Sequence, residues 1–430
     1  MSRITRRDFL KLTGGAGAAS ALGMLGVSSA HAAKHGKMGA HVVVVGGGFG
    51  GATCAKYLKR AGINVTLIEP STKFITCPFS NYVIGGTHKI ENITHTYDAL
   101  KKSGVNVVHD TVTGIDAAGK SVKLKGGKTL KYDRLVVSPG IDFKWNAIKG
   151  YDEKASNVMP HAWKAGPQTL LLRKQLETMK DGGTFIMVAP PNPFRCPPGP
   201  YERASMVAHY FKQHKPKSKI LILDAKDDFS KKSLFMDGWN KLYPGMIEWV
   251  PGAKGGKVSA VDTKTMTVMG ELDKHKGAVV NVIPAQTAGG IAIKAGLANE
   301  TGFCPVDFKT FESKIHKGIH VIGDSSIVGA ALPKSGFAAN SEAKMCASAI
   351  AAMLKGESVA DVSFVNTCYS LIAPNYGISV AGVYRVTEKG IVPVEGSGGV
   401  SPKEATDAFR AEEAKYAYGW YASITADTWG

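Results

Sequence analysis

The hydrophobic pattern of the chain follows one plan twice. Residues 41–45, HVVVV, form an unbroken apolar run; a glycine-rich turn follows, then a helical spacing of apolar positions, then a second apolar run that ends at Glu69. Short unbroken apolar runs predict strands covered on both faces, so the stretch reads as strand, helix, strand. Between Gly150 and about Pro284 the order recurs: helix QTLLLRKQLETM, turn DGG, strand TFIMVA, a proline-rich loop, helix YERASMVAHYFKQH and strand KILILD. Further on, GIHVIGD predicts a strand, and a long small-residue helix begins near Ser335. Beyond Asp361 the texture changes, with short strands predicted in VSFVNTCYSLIAPNYGISVAGVYRV and a helix in EATDAFRAEEAKYAYGWYASITADTWG. Strands alternating with helices predict an α/β fold, and the tail predicts a small α+β domain that packs on a site or forms an interface.

The two units differ at the turn after their first strand. In the first, Gly46, Gly48 and Gly51 stand in G-x-G-x-x-G spacing between strand and helix, and the acidic Glu69 ends the next strand. The first glycine allows a tight turn, the second lets backbone approach a pyrophosphate, the third lets the helix pack on the strand, and the acid meets a ribose hydroxyl. The second unit has APPNPFRCPPGPYERAS instead, with six prolines between Pro190 and Pro200. Proline lacks the N–H that a phosphate-cradling loop uses, so this loop argues against a nicotinamide cofactor, and Asp224 does not restore a site. Cys196 sits in the loop, at the strand edge that faces a ligand in open α/β sheets.

The N-terminus reads TRRDFLK, then a Gly- and Ala-rich apolar run, then SSAHA. A charged start, a short apolar middle and a small-x-small end predict a cleaved export signal over residues 1–32, and Arg6 with Arg7 make it the twin-arginine type. The run is shorter than the ~20 residues a membrane span needs, and no later segment supplies one. A periplasmic protein without a transmembrane segment is therefore expected. The formal net charge is +18, or +15 without the leader's four basic and one acidic residues. This balance suits an anionic substrate, an acidic partner or a membrane face alike, while the absence of a dense basic run or motif argues against nucleic acid.

Six cysteines, Cys54, Cys77, Cys196, Cys304, Cys346 and Cys368, follow the leader, with no C-x-x-C pair and no C-x-x-C-H. No metal site and no haem attachment are expected in this chain, and which cysteines pair stays open. Cys54 and Cys346 fall in helical patterns and read as core; Cys304 has no assigned role.

GIHVIGDSSIVGAALPKSGFAANSEAKMCASAIAAML resembles the two-dinucleotide-binding-domain flavoproteins, in which a late Gly-Asp meets the ribityl chain of FAD and the next helix points its N-terminus at the isoalloxazine. The resemblance implies FAD contacts from Asp324, Lys334 and Ser335 beside Gly46, Gly48, Gly51 and Glu69. It implies two Rossmann-like units in a glutathione-reductase-like arrangement: FAD-binding residues 33–149 and 289–360, a degenerate second unit at 150–288, and a C-terminal interface domain at 361–430.

The runs FRCPPGPYERAS, PHAWKAG, FESKIHKGIHVIGD, PKSGFAANS and NTCYSLIAPNYGISV resemble the flavoprotein subunit of flavocytochrome c sulfide dehydrogenase, over essentially the whole exported chain. That resemblance implies oxidation of hydrosulfide by FAD and a redox-active disulfide between Cys196 and Cys368. It also implies FAD held covalently by a thioether from Cys77, and Glu202 as acid/base. Electrons would leave to a c-type, dihaem cytochrome subunit in a heterodimer, the haem lying only on that partner. GDSSIVGAA stands where the family has a GDACI-like run; the aspartate is kept and the loop beside it differs. Competing readings are a sulfide:quinone oxidoreductase, a type II NADH dehydrogenase, and a non-catalytic FAD-bearing assembly subunit in which the disulfide is a staple. For Glu202 the plain alternative is a solvated helix-start carboxylate, and for Cys77 an inert buried cysteine.

Overall fold

A computed structural model describes residues 39–329, 332–388 and 390–430; the export signal predicted at 1–32 lies outside the described residues. The first unit opens with β1 (His41–Val45), α1 (Phe49–Arg60) and β2 (Asn64–Ile68), followed by the short helix α2 (Ser80–Ile84), β3 (Asn106–Val108) and β4 (Arg134–Val137). Helix α3 (Pro167–Thr178) then leads into the second unit, β5 (Thr184–Ala189), α4 (Gly199–His214), β6 (Lys219–Asp224), α5 (Lys232–Leu242), β7 (Ile247–Val250) and β8 (Val279–Val282). The chain returns to the first unit with β9 (Ile319–Val321) and α6 (Gly336–Lys355). It ends in a hairpin, β10 (Ser363–Ala373) with β11 (Tyr376–Thr387), and a final helix, α7 (Asp407–Trp429).

Both sheets are parallel, in the orders β9–β4–β1–β2–β3 and β7–β6–β5–β8. Crossover connections put helices on both faces of such sheets, which explains why HVVV and TFIMVA contain no polar face: Val42, Val43 and Val44 are fully buried, as are Phe185, Ile186 and Met187. The fold is thus mixed α/β with two Rossmann-like units.

The tail departs from the expected short strands. The β10–β11 ladder runs unbroken in direction from Ser363↔Arg385 to Ala373↔Tyr376 around a turn at Pro374 and Asn375. The polar Asn366 does not interrupt it, because its buried side chain accepts a 2.7 Å bond from the Ser335 hydroxyl. Among the described residues the tail also lacks a separate core. Phe364, Ile424 and Trp429 join the core of the first unit, while Ile372 and Ile378 join that of the second. Leu371, Ala414, Ala417 and Tyr421 close a cluster with Phe79, Tyr82, Val83 and Met206. Each large apolar side chain so buried contributes about 1.5–3 kcal/mol, which makes the tail a clamp across the two units.

Helix α7 is held at its end by α1. The buried Lys56 of α1 donates to the carbonyls of Ala426 (3.2 Å), Asp427 (2.9 Å) and Gly430 (2.5 Å), supplying a cation to a helix C-terminus whose last carbonyls lack intrahelical partners. Trp429 then donates its indole N–H to the carbonyl of Gly47, in the glycine turn itself, at 3.1 Å.

That turn depends on Gly51, where an added Cβ would stand 1.8 Å from the Gly46 carbonyl oxygen, a backbone atom that cannot swing away. Gly51→Ala is expected to lower stability by about 3 kcal/mol, the upper range for overpacking, measured by urea unfolding; a change below about 0.5 kcal/mol would show that the turn is not held this closely.

Candidate active site

The proline loop is fixed by bonds to other segments. Arg195 N–H donates to the Gln286 side chain (3.0 Å), and Cys196 N–H donates to the Lys334 carbonyl (2.8 Å) just ahead of α6. The Cys196 carbonyl accepts from Gly199 N–H at 2.8 Å, and Phe194 is buried. Cys196 is thereby held at φ 54°, the left-handed region that a side chain rarely adopts, a strain of about 1–3 kcal/mol of the kind that collects at functional sites. The guanidinium of Arg195 donates to the Trp163 carbonyl and stands 3.8 Å from Asp324.

Beside this loop a cavity of about 60 Å³ is lined by Cys196, Glu202, Ser335, Cys368 and Trp420, among others. It forms where the start of α4, the start of α6 and the middle of β10 meet. Glu202 is anchored from three directions: Tyr82 hydroxyl (2.7 Å), Asn81 amide (2.9 Å) and Leu371 N–H (3.1 Å) all donate to its carboxylate. Burial outweighs these bonds and raises its carboxyl above the ordinary range, so it holds a proton more readily than a surface glutamate. The expected alternative of a solvated carboxylate does not describe this position.

All six cysteines are free thiols here. Cys196 and Cys368 share the pocket, yet the sulfur of Cys196 makes its contact with Cys77. Hydrogen bonding from Cys196, helped by the charges of Arg195 and Arg203, pulls the Cys77 thiol down to about 6, while the same contact and burial push Cys196 well up. Burial also raises Cys368. Cys54 and Cys346 lie buried against each other between α1 and α6, and Cys304 is buried.

The first unit fits a dinucleotide. No side chain caps α1 at Gly48, and its first turn carries no acid, so its leading N–H groups are free for a phosphate. Glu69 lies beside the turn, accepting from Gly47 N–H at 2.9 Å. Across the site, the buried Oδ1 of Asp324 has no hydrogen-bond partner, as a ribityl-facing carboxylate awaiting a hydroxyl would not. Lys334 and Ser335 stand ahead of α6, but the Lys334 ammonium is bound to the Ser326 carbonyl (2.6 Å), and Ser335 caps the helix through Ala338 N–H (3.0 Å). The second unit does not offer such a site. Helix α4 has Pro198 at its N-cap, Pro200 in its first turn and Glu202 there as well, and Asp224 is consumed by Tyr201 (2.5 Å), Trp249 (3.1 Å) and Lys226 (2.6 Å).

Sequence reasoning missed several residues. Arg195 adjoins Cys196, and Asn81 and Tyr82 follow Cys77 closely, so proximity to a chosen cysteine could have flagged them. Lys231, whose ammonium binds the Cys368 carbonyl and the Ser370 hydroxyl, each at 2.9 Å, leaves no such mark in KKSLF. In protein freed of cofactor, alkylation of Cys77 followed by mass spectrometry is expected to be half-maximal near pH 6, and Cys196→Ala should move that midpoint upward. A midpoint unchanged by Cys196→Ala would remove the assigned cause.

Four family patterns match the chain. Residues 3–23 match the twin-arginine translocation signal, 40–165 the pyridine nucleotide-disulphide oxidoreductases, 169–284 the central part of the sulfide dehydrogenase [flavocytochrome c] flavoprotein chain, and 360–429 the flavocytochrome c sulphide dehydrogenase flavin-binding region. The mitochondrial sulfide:quinone oxidoreductase of Mus musculus is 23% identical over 307 residues, 66% of this chain and 65% of that one; the chain spans the same share of the Dictyostelium discoideum protein. Among solved structures, the sulfide:quinone oxidoreductase of Aquifex aeolicus superposes with a TM-score of 0.70 at 16% identity, covering 91% of this chain and 92% of that one, which shows the fold. The sulfide dehydrogenase [flavocytochrome c] flavoprotein chain of Chlorobaculum thiosulfatiphilum is 68% identical over 44 residues, 10% of this chain and 92% of that one. With two dedicated family patterns across its second unit and its tail, the chain belongs to the family of the flavoprotein chain of flavocytochrome c sulfide dehydrogenase.

Proposed function

We propose that the chain is an exported, periplasmic FAD enzyme that oxidises hydrosulfide through Cys196 and Cys368 and passes the electrons to a c-type cytochrome subunit. The observation that carries this reading is the shared pocket, in which a cysteine of the second unit, a cysteine of the tail and a half-buried, triply hydrogen-bonded carboxylate converge. FAD, when bound, supplies a two-electron acceptor that can release electrons singly. Its holders are the N-terminus of α1 with Gly46, Gly48 and Gly51, then Glu69, Asp324, Lys334 and Ser335, with Cys77 as the covalent anchor. A thiol drawn down to about 6 is the nucleophilic form such an attachment requires.

In the oxidised protein Cys196 and Cys368 form a disulfide. Hydrosulfide attacks one sulfur, a new S–S bond forms as the old one breaks, and the other cysteine leaves as a thiolate. Glu202, poised by burial to exchange a proton, takes the proton from the incoming sulfur. Apolar walls from Phe79, Phe337 and Trp420 keep the pocket to small solutes.

Likeness to sulfide:quinone oxidoreductases favours quinone as the competing acceptor. The tail helix speaks against it: Ala414, Ala417, Ile424 and Trp429 of α7 are buried against the protein, and its outward face mixes Tyr416 and small alanines with Glu412, Lys415 and Ser423, without the basic and apolar split of a membrane-surface helix. Among the described residues no helix is long and apolar enough to cross a membrane.

Acid precipitation of the purified protein should leave the yellow colour in the pellet, and Cys77→Ala should release it to the supernatant. Sulfide should bleach the flavin, Cys196→Ser should abolish that bleaching, NADH should not bleach it, and reduction of a copurifying haem c protein should outpace quinone reduction. Free flavin in the wild-type supernatant would remove the covalent anchor, and bleaching retained in Cys196→Ser would remove the disulfide chemistry.

A further inference from the structure

Lys231 breaks three local rules at once. It is a cation at the N-cap of α5, where the helix end is itself positive. Its backbone stands at φ 63°, in the left-handed region. Its side chain is buried, 7% exposed, and among the described residues it makes no ion pair. Its hydrogen-bond acceptors are neutral and burial lowers its affinity for the proton, while the negative charge around it comes first from Cys368 and then from Glu202 and Glu413. Such a combination persists where a charge that appears during function balances it.

The two acceptors of Lys231 are the Cys368 carbonyl and the Ser370 hydroxyl, two residues apart on β10, so the ammonium lies on the same strand face as Cys368. Of the charges acting on the Cys368 thiol, Lys231 is the strongest. Cys196 has Arg195 as its cation, and that cation is shared with other groups. Arg195 beside it faces Asp324 at 3.8 Å and binds the Trp163 carbonyl, and its charge acts first on Cys77.

We infer that Lys231 is a positioning residue that makes Cys368 the leaving thiolate, so that the incoming sulfur adds to Cys196. This rests on the disulfide reading above. The step balances: HS⁻ bonds to the Cys196 sulfur, the Cys196–Cys368 bond breaks, and its electron pair stays on Cys368. The products are a Cys196 persulfide and a Cys368 thiolate facing the Lys231 ammonium, and no external oxidant is needed. A more stabilised thiolate leaves faster in thiol–disulfide exchange, so loss of the cation should slow the step by about 10- to 100-fold.

The oxidised holoprotein is treated with equimolar sodium sulfide, quenched with iodoacetamide, digested and mapped by mass spectrometry, after a non-reducing map has located the disulfide. The expected wild-type result is an alkylated persulfide on the Cys196 peptide and a singly alkylated thiol on the Cys368 peptide. Lys231→Met should slow persulfide formation by that factor, and Lys231→Arg should restore it to within a few-fold. Persulfide on Cys368, or an unchanged rate in a folded K231M, overturns the inference and leaves the disulfide reading intact. Absence of a Cys196–Cys368 disulfide from the first map defeats that reading and this inference with it. The wild-type map requires no variant, so it decides the question even if K231M fails to fold.

Discussion

One backbone hydrogen bond, from Cys196 N–H to the Lys334 carbonyl at 2.8 Å, joins the second unit to the start of α6 in the first. The left-handed backbone of Cys196 costs about 1–3 kcal/mol, more than the roughly 0.5–1.5 kcal/mol of a single bond. The bonds from Arg195 N–H to Gln286 and from Gly199 N–H to the Cys196 carbonyl, with the burial of Phe194, make up the difference. Without this set the loop would relax and its sulfur would leave the neighbourhood of Cys77. The position of the Cys196 thiol is thus a property of two units held together, and the tail that clamps them belongs to the candidate site for that reason.

Much of this was legible from pattern. The strands TFIMVA and KILILD fall at Thr184–Ala189 and Lys219–Asp224, because a run apolar on both faces has few alternatives in a chain of this size. The cap at Ser335 was readable for a similar reason: Ser ahead of a small-residue run is a helix start. The tail was less legible, since the length of β10 depends on Ser335 satisfying Asn366, a contact from another part of the chain.

Within the site, cysteines announce themselves by chemistry, while their surroundings do not. The contact between Cys77 and Cys196 joins positions over a hundred residues apart, and no spacing rule encodes it. Lys231 is less visible still. In the sequence it is one lysine among many, and its significance comes from burial and from a backbone conformation that only the fold supplies. Sequence reading named the candidate cysteines, and the structure supplied the groups that set their charge.

The two units share a plan and diverge at one place, the N-terminus of the helix after the first strand. In α1 the absence of cap and acid leaves N–H groups and a positive helix end open to a phosphate. In α4 two prolines remove donors, and Glu202 occupies the first turn with a negative charge that a phosphate would have to oppose. The same carboxylate that closes the second unit to a dinucleotide is held by Asn81, Tyr82 and Leu371 at the pocket shared by Cys196 and Cys368. The departure from a phosphate-binding turn and the lining of the pocket thus fall on the same few residues, Pro198 and Glu202 among them.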